Sequence, residues 1–177
     1  PMTADQKKTT HSDTIALIIA AAGSSSRMGG SVKKQYLPLR KGTVLSEAVK
    51  PFLSALHCSV LAVTVPAGEN GQEARNALAA DPECMMLLGD TPLLFVCGGA
   101  TRQASVKNAL EAIASSGPQP DIVLIHDAAR PFVTPQIIRD AACAASEYGA
   151  AVPAVQPVDT QKETDGSGYI TRHLKRD

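Results

Sequence analysis

One stretch, Ile15–Tyr36, constrains the fold more than any other part of this chain. It begins with a run of aliphatic residues that predicts a buried strand and is too short to span a membrane. The run leads into Ala20-Ala21-Ala22-Gly23, where small side chains allow another molecule to approach the backbone closely. Arg27 lies in the Ser- and Gly-rich loop that follows, and Lys33-Lys34 comes soon after it. A buried strand that opens into a small, cationic loop is typical of α/β proteins that bind polyphosphates.

The composition favours a single α/β domain. The chain has 177 residues, of which 44% are hydrophobic but only 3% aromatic, so Ala, Val, Ile and Leu must form the core, as in a parallel sheet covered by helices. The formal net charge is zero, and aromatic side chains that stack on single-stranded nucleic acid are scarce. We therefore expect neither nucleic acid nor a membrane as a partner.

The cysteines and the first residues indicate a cytoplasmic protein. The four cysteines are far apart and include no C-x-x-C pair, which predicts reduced thiols rather than a zinc site or a disulfide framework. No apolar run approaches the roughly 18–20 residues of a membrane-spanning helix. Residues 1–13 carry no signal-peptide core and are predicted to be a disordered tail, followed by one folded domain over residues 14–177.

Alternating apolar runs and turn residues predict the order of the elements. Strands are expected near residues 14–20, 60–65, 93–97, 122–125 and 151–155, and helices near residues 44–56, 72–80, 101–115 and 134–148. Asp81-Pro82 is interpreted as the end of the second helix. Asp165-Gly166-Ser167-Gly168 predicts a hairpin turn. Strands that alternate with helices predict a three-layer α/β/α sandwich with a mostly parallel sheet.

The loop after the first strand matches neither common glycine motif for phosphate. The lysines come too late for G-x-x-x-x-G-K-[ST], and Ser25 stands where G-x-G-x-x-G requires its second glycine. A P-loop NTPase and a Rossmann dehydrogenase are therefore disfavoured. Arg27 offers a planar fork for phosphate oxygens and Lys34 a mobile point charge. A surface loop with solvated basic residues would show the same spacing.

Two more segments place glycine or polar residues at the carboxyl ends of predicted strands. Gly98-Gly99 leaves backbone groups available to a ligand, although a tight turn between strand and helix would look the same. Farther on, Asp127 is suited to a metal-bound phosphate or a ribose hydroxyl, and Arg130 to a second anion. His126 is more typical of a structural histidine than of a base. Because carboxyl ends of parallel strands meet at one edge of a sheet, these segments are expected to converge in one crevice.

Taken together, the motifs AAAGSSSRMG…KKQY, GGATRQASV, HDAARP and PVDTQK resemble those of the 2-C-methyl-D-erythritol 4-phosphate cytidylyltransferase family. The resemblance runs from about Ile15 to Arg176, and HDAARP with KQY is specific within the nucleotidyltransferase superfamily. It implies a Rossmann-like nucleotidyltransferase fold with a protruding β-hairpin arm. It also implies an enzyme that transfers CMP from CTP to 2-C-methyl-D-erythritol 4-phosphate and releases diphosphate, in isoprenoid precursor synthesis by the non-mevalonate pathway.

The resemblance implies catalytic roles for three residues. Arg27 and Lys34 match the pair that stabilises charge on the α-phosphate. Asp127 matches an acidic residue near the ribose and the metal-bound phosphates. Mg²⁺ or another divalent cation is expected, held mainly by the triphosphate; Asp127 lies nearby, and no protein residue is directly assigned as a metal ligand.

The resemblance also implies residues that bind each substrate. The nucleotide-binding residues are predicted to be Ala21, Ala22, Gly23, Gly99 and Ser105. The residues predicted to bind the acceptor phosphate are Arg130, Thr160 and Arg176. The last two lie on the hairpin arm, residues 157–176, which in the family crosses into a partner subunit. A homodimer with composite sites is therefore expected.

The chain departs from the family pattern in three respects. Ser25 replaces a glycine, and Ala100 stands where some members have an acidic residue, which bears on the nucleotide contacts. The family also continues beyond the position of Asp177 into a T-P-Q motif, a further helix and strand, and a second active-site lysine. The resemblance thus implies that the C-terminal end of the domain is missing. The alternatives are another sugar-phosphate nucleotidyltransferase and a non-catalytic nucleotide-binding or assembly protein.

Overall fold

The structure, a computed structural model, describes residues 13–23 and 33–175. Of the tail predicted over residues 1–13, residues 1–12 lie outside the described residues, and so do Ser25, Arg27 and Arg176. Asp13 is described, and its carboxylate accepts a hydrogen bond from the Ser146 hydroxyl at 3.0 Å.

The elements follow one another as alternating strands and helices over most of the chain. In chain order, the strands are β1 (Ile15–Ala20), β2 (Pro38–Leu39), β3 (Gly42–Thr43), β4 (Cys58–Val65), β5 (Leu93–Cys97), β6 (Ile122–Asp127), β7 (Lys162–Thr164) and β8 (Ile170–His173). The α-helices are α1 (Val44–Ala55), α2 (Gln72–Ala79), α3 (Pro82–Leu88), α4 (Arg102–Ser116) and α5 (Pro135–Tyr148). A short 3₁₀-helix covers Lys34–Tyr36. In the described part of the chain, no helix is long and apolar enough to cross a membrane.

The central sheet is parallel throughout, with the strand order β5-β4-β1-β6. The inner strand β1 is buried on both faces, because its residues Ala16, Leu17, Ile18 and Ile19 are each 0% exposed. The register pairs Ala20, the last residue of β1, with Thr64 on one side and Asp127 on the other. The carboxyl ends of three strands therefore meet at one point.

Helices cover both faces of the sheet. On one face, Leu17 and Ile19 belong to a large apolar cluster with side chains from α1, α2, α3 and α5. On the other, Ala16 and Ile18 pack against Ala109 and Ile113 of α4. This alternation follows from the two-residue period of a strand. The predicted three-layer α/β/α arrangement is confirmed.

One helix was not predicted. The sequence pattern ended a helix at Asp81-Pro82, but α3 begins at Pro82. The Asp81 carboxylate accepts hydrogen bonds from the backbone N–H groups of Glu83 and Cys84 at 3.1 and 3.2 Å, so Asp81 is an N-cap. Proline fits the first turn of a helix, where its missing N–H has no intrahelical partner. Asp-Pro here starts a helix, and α2 ends just before it.

The strand predicted over residues 151–155 is wrong. Residues 150–157 have no regular secondary structure, and every described residue from 146 to 175 is exposed. Pro153 lacks the N–H that a central position in a ladder would need. Within the described chain no strand pairs with this segment, and burial on a sheet is what would stabilise an apolar run as a strand.

The predicted hairpin is present. β7 and β8 pair antiparallel, and the turn between them contains Gly168 with a φ of +87°. The Asp165 carboxylate accepts hydrogen bonds from the backbone N–H groups of Ser167 and Tyr169, each at 2.9 Å. Local turn chemistry therefore forms this hairpin, although its residues are all exposed.

Candidate functional site

A cavity of about 760 Å³ opens at the carboxyl end of the central sheet. The ends of β1, β4 and β6, the start of α4 and the 3₁₀-helix all contribute to its wall. Eight of the predicted site residues line it, namely Ala21, Ala22, Gly23, Lys34, Gly99, Ser105, Asp127 and Arg130. The structure thus brings together residues that are more than 100 positions apart in the sequence.

The first wall is the backbone after β1, and two buried side chains hold it. The Thr64 hydroxyl accepts hydrogen bonds from the N–H groups of Ala21 at 3.0 Å and Ala22 at 3.2 Å. The Gln35 side-chain amide donates to the Ala21 carbonyl oxygen at 2.8 Å. Neither Thr64 nor Gln35 was predicted as a site residue. A threonine in the otherwise aliphatic run of residues 60–65 was the available signal for Thr64.

The two adjacent lysines differ in their surroundings. The Lys33 ammonium pairs with Glu69 and also with Glu73, whose carboxylate lies 3.1 Å away. The hydrogen bond to Glu69 is the main reason that the pKa of Lys33 is raised above its ordinary value. Lys34, in contrast, lines the cavity. Lys33 therefore anchors this segment to the chain after β4, and Lys34 is the lysine placed where a ligand would bind.

The second wall is the turn that joins β5 to α4. The Ser105 hydroxyl accepts a hydrogen bond from the Gly99 N–H at 3.0 Å and donates one to the Thr101 carbonyl oxygen at 2.9 Å. A Cβ on Gly98 would clash with the Cβ of Ala22, which explains why the position suits only glycine. The double glycine therefore allows the first and second walls to approach each other. Ser105 is 4% exposed and shapes this turn.

The third wall carries the charged groups. Arg102 donates from Nε to Oδ1 of Asp127 at 2.9 Å, and its Nη2 lies at the same distance from that oxygen. Nε of Arg130 lies 3.2 Å from Oδ2 of Asp127. Arg102 was not predicted as a site residue, although it lies within the GGATRQASV motif. Sequence spacing could not show that it reaches the end of β6.

His126 has structural partners, in agreement with the interpretation of its sequence context. Its Nε2 lies 2.8 Å from the carbonyl oxygen of Arg130, and its ring lies 4.9 Å from the ring of Phe52. Burial lowers the pKa of His126, which favours the neutral ring. A neutral ring with its proton on Nε2 donates to that carbonyl and so helps to hold the backbone at Arg130.

Three predicted residues are not among the described residues that line the cavity. Thr160 lies in an exposed segment and does not line the cavity. Arg27 and Arg176 lie outside the described residues, and their roles stay predictions.

The donor set fits a metal that arrives with a substrate. The described residues include no group of three or more His, Cys, Asp or Glu side chains that could hold a metal ion. Asp127 is the one acidic side chain among the described residues that line the cavity. Mg²⁺ commonly binds through one or two carboxylates together with substrate phosphates and water. A single carboxylate in a cavity with an excess of positive charge fits that mode.

The charge of the cavity favours an anion. The described lining residues include three cations, Lys34, Arg102 and Arg130, against the single carboxylate of Asp127. Because the formal net charge of the whole chain is zero, this positive field is local. The two other walls consist of small side chains and backbone groups. They leave room for a flat group of a ligand next to the wall that carries the charges.

Comparison with known proteins identifies the family. The model of the IspD family, 2-C-methyl-D-erythritol 4-phosphate cytidylyltransferase, matches residues 15–177. The chain belongs to this family. The bifunctional enzyme IspD/IspF of Rhodopseudomonas palustris strain TIE-1 is 44% identical over 161 residues, which are 91% of this chain and 37% of the relative. The chain thus spans little more than a third of the length of that IspD/IspF relative.

Solved IspD-family structures share the fold. The 4-diphosphocytidyl-2C-methyl-D-erythritol synthase of Anaerococcus prevotii superposes with a TM-score of 0.70 at 22% identity, over 93% of this chain and 64% of the other. The 2-C-methyl-D-erythritol 4-phosphate cytidylyltransferase of Thermus thermophilus has a TM-score of 0.59 at 29% identity, over 92% of this chain and 64% of the other. The predicted nucleotidyltransferase fold is confirmed.

Proposed function

We propose that this IspD-family protein transfers CMP from CTP to 2-C-methyl-D-erythritol 4-phosphate and releases diphosphate. The observation that carries the proposal is the cavity at the carboxyl end of the sheet, where Lys34, Asp127 and Arg130 meet two walls of small residues and backbone. A nucleoside triphosphate and a sugar phosphate are both anions, and the lining has an excess of positive charge.

The two walls of small residues bind the nucleotide in this proposal. Ala21 and Ala22 are small, and the Thr64 hydroxyl holds their backbone in place. Gly99 is held by Ser105 in the same way on the opposite wall. A base that lies between these walls contacts backbone amide groups whose positions are already fixed, so little ordering cost is left at binding.

Transfer of the nucleotidyl group requires positioning and charge stabilisation, and no covalent intermediate is needed. Lys34 supplies a cation at the α-phosphate, where negative charge increases in the transition state. Arg27 is proposed to supply the second cation. Asp127, together with the substrate phosphates, would hold a divalent cation such as Mg²⁺, which would supply positive charge to the diphosphate leaving group.

The acceptor phosphate binds to Arg130 in this proposal, with Thr160 and Arg176 contributed by a partner subunit. The side chain of Arg130 is 76% exposed at the cavity. The arm that carries Thr160 is exposed throughout, including Val158 at 87% and Tyr169 at 75%. Apolar side chains exposed together on a hairpin favour a protein partner, and we propose that the partner is a second copy of the chain.

We place this activity in the cytoplasm. The four cysteines are free thiols, and Cys58 and Cys84 are buried. Burial raises the pKa of Cys58 to about 11 and, with the nearby Asp81, raises the pKa of Cys84 to about 12, so both are unreactive. Reduced thiols are the usual state in a cytoplasmic protein.

The test is turnover by the full-length protein. CTP, Mg²⁺ and 2-C-methyl-D-erythritol 4-phosphate should release diphosphate, whereas UTP, GTP and dTTP should release much less. Exchange of Lys34 for Gln should suppress the release, and exchange of the exposed Lys41 for Gln should not. Turnover of a different sugar phosphate would contradict the acceptor assignment. Binding of CTP in calorimetry without any product would contradict the reaction and support a nucleotide-binding protein.

A further inference from the structure

Arg102 and Arg130 share one carboxylate at the cavity. Arg102 contacts Oδ1 of Asp127 through both Nε and Nη2 at 2.9 Å, and Arg130 contacts Oδ2 through Nε at 3.2 Å. The two arginines come from different elements, because Arg102 is the first residue of α4 and Arg130 follows β6. Asp127 therefore connects the wall that carries Gly99 and Ser105 to the segment that carries Arg130.

The backbone of each arginine is held independently of this contact. Thr101 caps α4 by accepting a hydrogen bond from the Ala104 N–H at 3.0 Å, which fixes the turn at Arg102. On the other side, Nε2 of His126 holds the Arg130 carbonyl oxygen at 2.8 Å. The Asp127 carboxylate therefore contacts two guanidinium groups whose backbones are held by other hydrogen bonds.

This sharing controls what Arg130 can offer to a ligand. A guanidinium and a carboxylate form their strongest pair when both oxygens accept hydrogen bonds in parallel. Because Arg102 occupies Oδ1, Arg130 contacts one oxygen, and its side chain stays 76% exposed. Without Arg102, both oxygens of Asp127 would be available, and a bidentate pair would hold the Arg130 guanidinium against Asp127 and leave fewer of its N–H groups for a ligand.

We infer that Arg102 is a positioning residue that keeps Arg130 available to the acceptor phosphate by occupying one oxygen of Asp127. The inference rests on the proposed function, in which Arg130 binds that phosphate. It assigns an effect on acceptor binding to the first residue of α4, the helix that also carries Ser105 of the second wall.

Steady-state kinetics of the full-length protein test the direction of this effect. Arg102→Gln should raise the KM for the acceptor about fivefold, which is the scale of one exposed ion pair, and should change the KM for CTP less. Arg102→Lys should restore part of the acceptor affinity. Lys107→Gln on the same helix removes an exposed pair with Glu111 and serves as the matched control. A larger rise in the KM for CTP than for the acceptor would overturn the inference.

A double-mutant cycle separates an indirect effect from a direct one. If Arg102 acts through Asp127 on Arg130, then Arg102→Gln should have no further effect on the acceptor KM in an Arg130→Gln background. Effects that simply add would show that Arg102 contacts the acceptor or acts by another route, and would overturn the inference.

A readout without turnover distinguishes this inference from the proposed function. The Nε–H resonance of Arg130 in ¹⁵N-labelled protein should move in Arg102→Gln and stay in place in Lys107→Gln. An unmoved resonance would overturn the inference even if the enzyme is active. Conversely, a wild-type protein that releases no diphosphate would contradict the proposed function, while a moved resonance would still support the shared carboxylate.

Discussion

The buried Thr64 hydroxyl accepts a hydrogen bond from the backbone N–H of Ala21 at 3.0 Å, which joins the end of β1 to the side chain of the neighbouring strand. Thr64→Val keeps the shape of the side chain but leaves the N–H groups of Ala21 and Ala22 without this acceptor. We expect the free energy of unfolding to fall by about 1–3 kcal/mol, measured by urea denaturation. Thr64→Ser keeps the hydroxyl and is the control. Equal stability of the valine variant and the wild type would contradict this account.

The neighbouring lysines should give separable kinetic effects. Lys34→Gln removes a cation from the cavity, and we expect kcat to fall about 100-fold because the lost interaction is strongest in the transition state. Lys33→Gln removes partly exposed ion pairs with Glu69 and Glu73, so kcat should fall less than about tenfold. The two variants are compared in the same diphosphate-release assay. An inactive Lys33→Gln beside an active Lys34→Gln would reverse the two assignments.

Gly98→Ala should separate the first two walls of the cavity. The added Cβ would clash with Ala22 and would lie 3.0 Å from Oγ of Ser105, so the turn or the first wall must move. We expect a loss of about 1–3 kcal/mol in the free energy of unfolding, together with weaker CTP binding in calorimetry. Gly117→Ala is the matched control, since a Cβ there meets nothing within 4 Å. Unchanged CTP binding in Gly98→Ala would show that this close approach does not shape the nucleotide site.

A buried ionic cluster away from the cavity should make stability depend on acid. Burial alone would raise the pKa of Asp81, but hydrogen bonds from Lys50, from the Cys84 N–H and from Ser46 outweigh it and hold the pKa below its ordinary value. The ammonium of Lys50 lies 3.0 Å from Oδ2 of Asp81 and 2.8 Å from Oε1 of Glu47. The Asp81 carboxylate therefore stabilises the folded chain in its ionised form.

The sign of the pH dependence follows from this shift. Because the pKa of Asp81 is lower in the folded chain, its contribution is fully present above a pH of about 4 and is lost as the pH falls through the folded pKa. Asp81→Asn should reduce the free energy of unfolding by about 2 kcal/mol at neutral pH. Urea denaturation from neutral to acidic pH should show this difference narrowing in acid. A constant difference would mean that Asp81 acts only as a neutral cap.

Where a local pattern sufficed, the sequence predicted the structure well. The helices predicted near residues 101–115 and 134–148 are α4 and α5, and the first residues of those ranges, Thr101 and Thr134, are their N-caps. Gly149 ends α5 with a φ of +84°, as a glycine after a helix predicts. The hairpin turn at Asp165 was equally local. These features depend on residues within one or two turns of each other, so their chemistry is visible along the chain.

Two local patterns were ambiguous until tertiary contacts were known. Asp81-Pro82 can end one helix or cap the next. Here Asp81 caps α3, and its side chain also makes buried contacts with Ser46 and Lys50. The apolar run over residues 151–155 has strand-like residues but is exposed and unpaired in the described chain. Strand propensity expresses packing on a half-buried surface and is weak without one.

The sequence by itself determined the buried strand at Ile15, the small residues after it and the cationic character of the segment that ends at Tyr36, because these depend on residue type and order. Only the tertiary structure decided that Lys33 pairs with Glu69 and Glu73, that Thr64 supports the first wall, and that Arg102 shares Asp127 with Arg130. The reason is that parallel strands bring distant carboxyl ends to a single edge, and the contacts made there are between side chains whose separation along the chain carries no periodic signal.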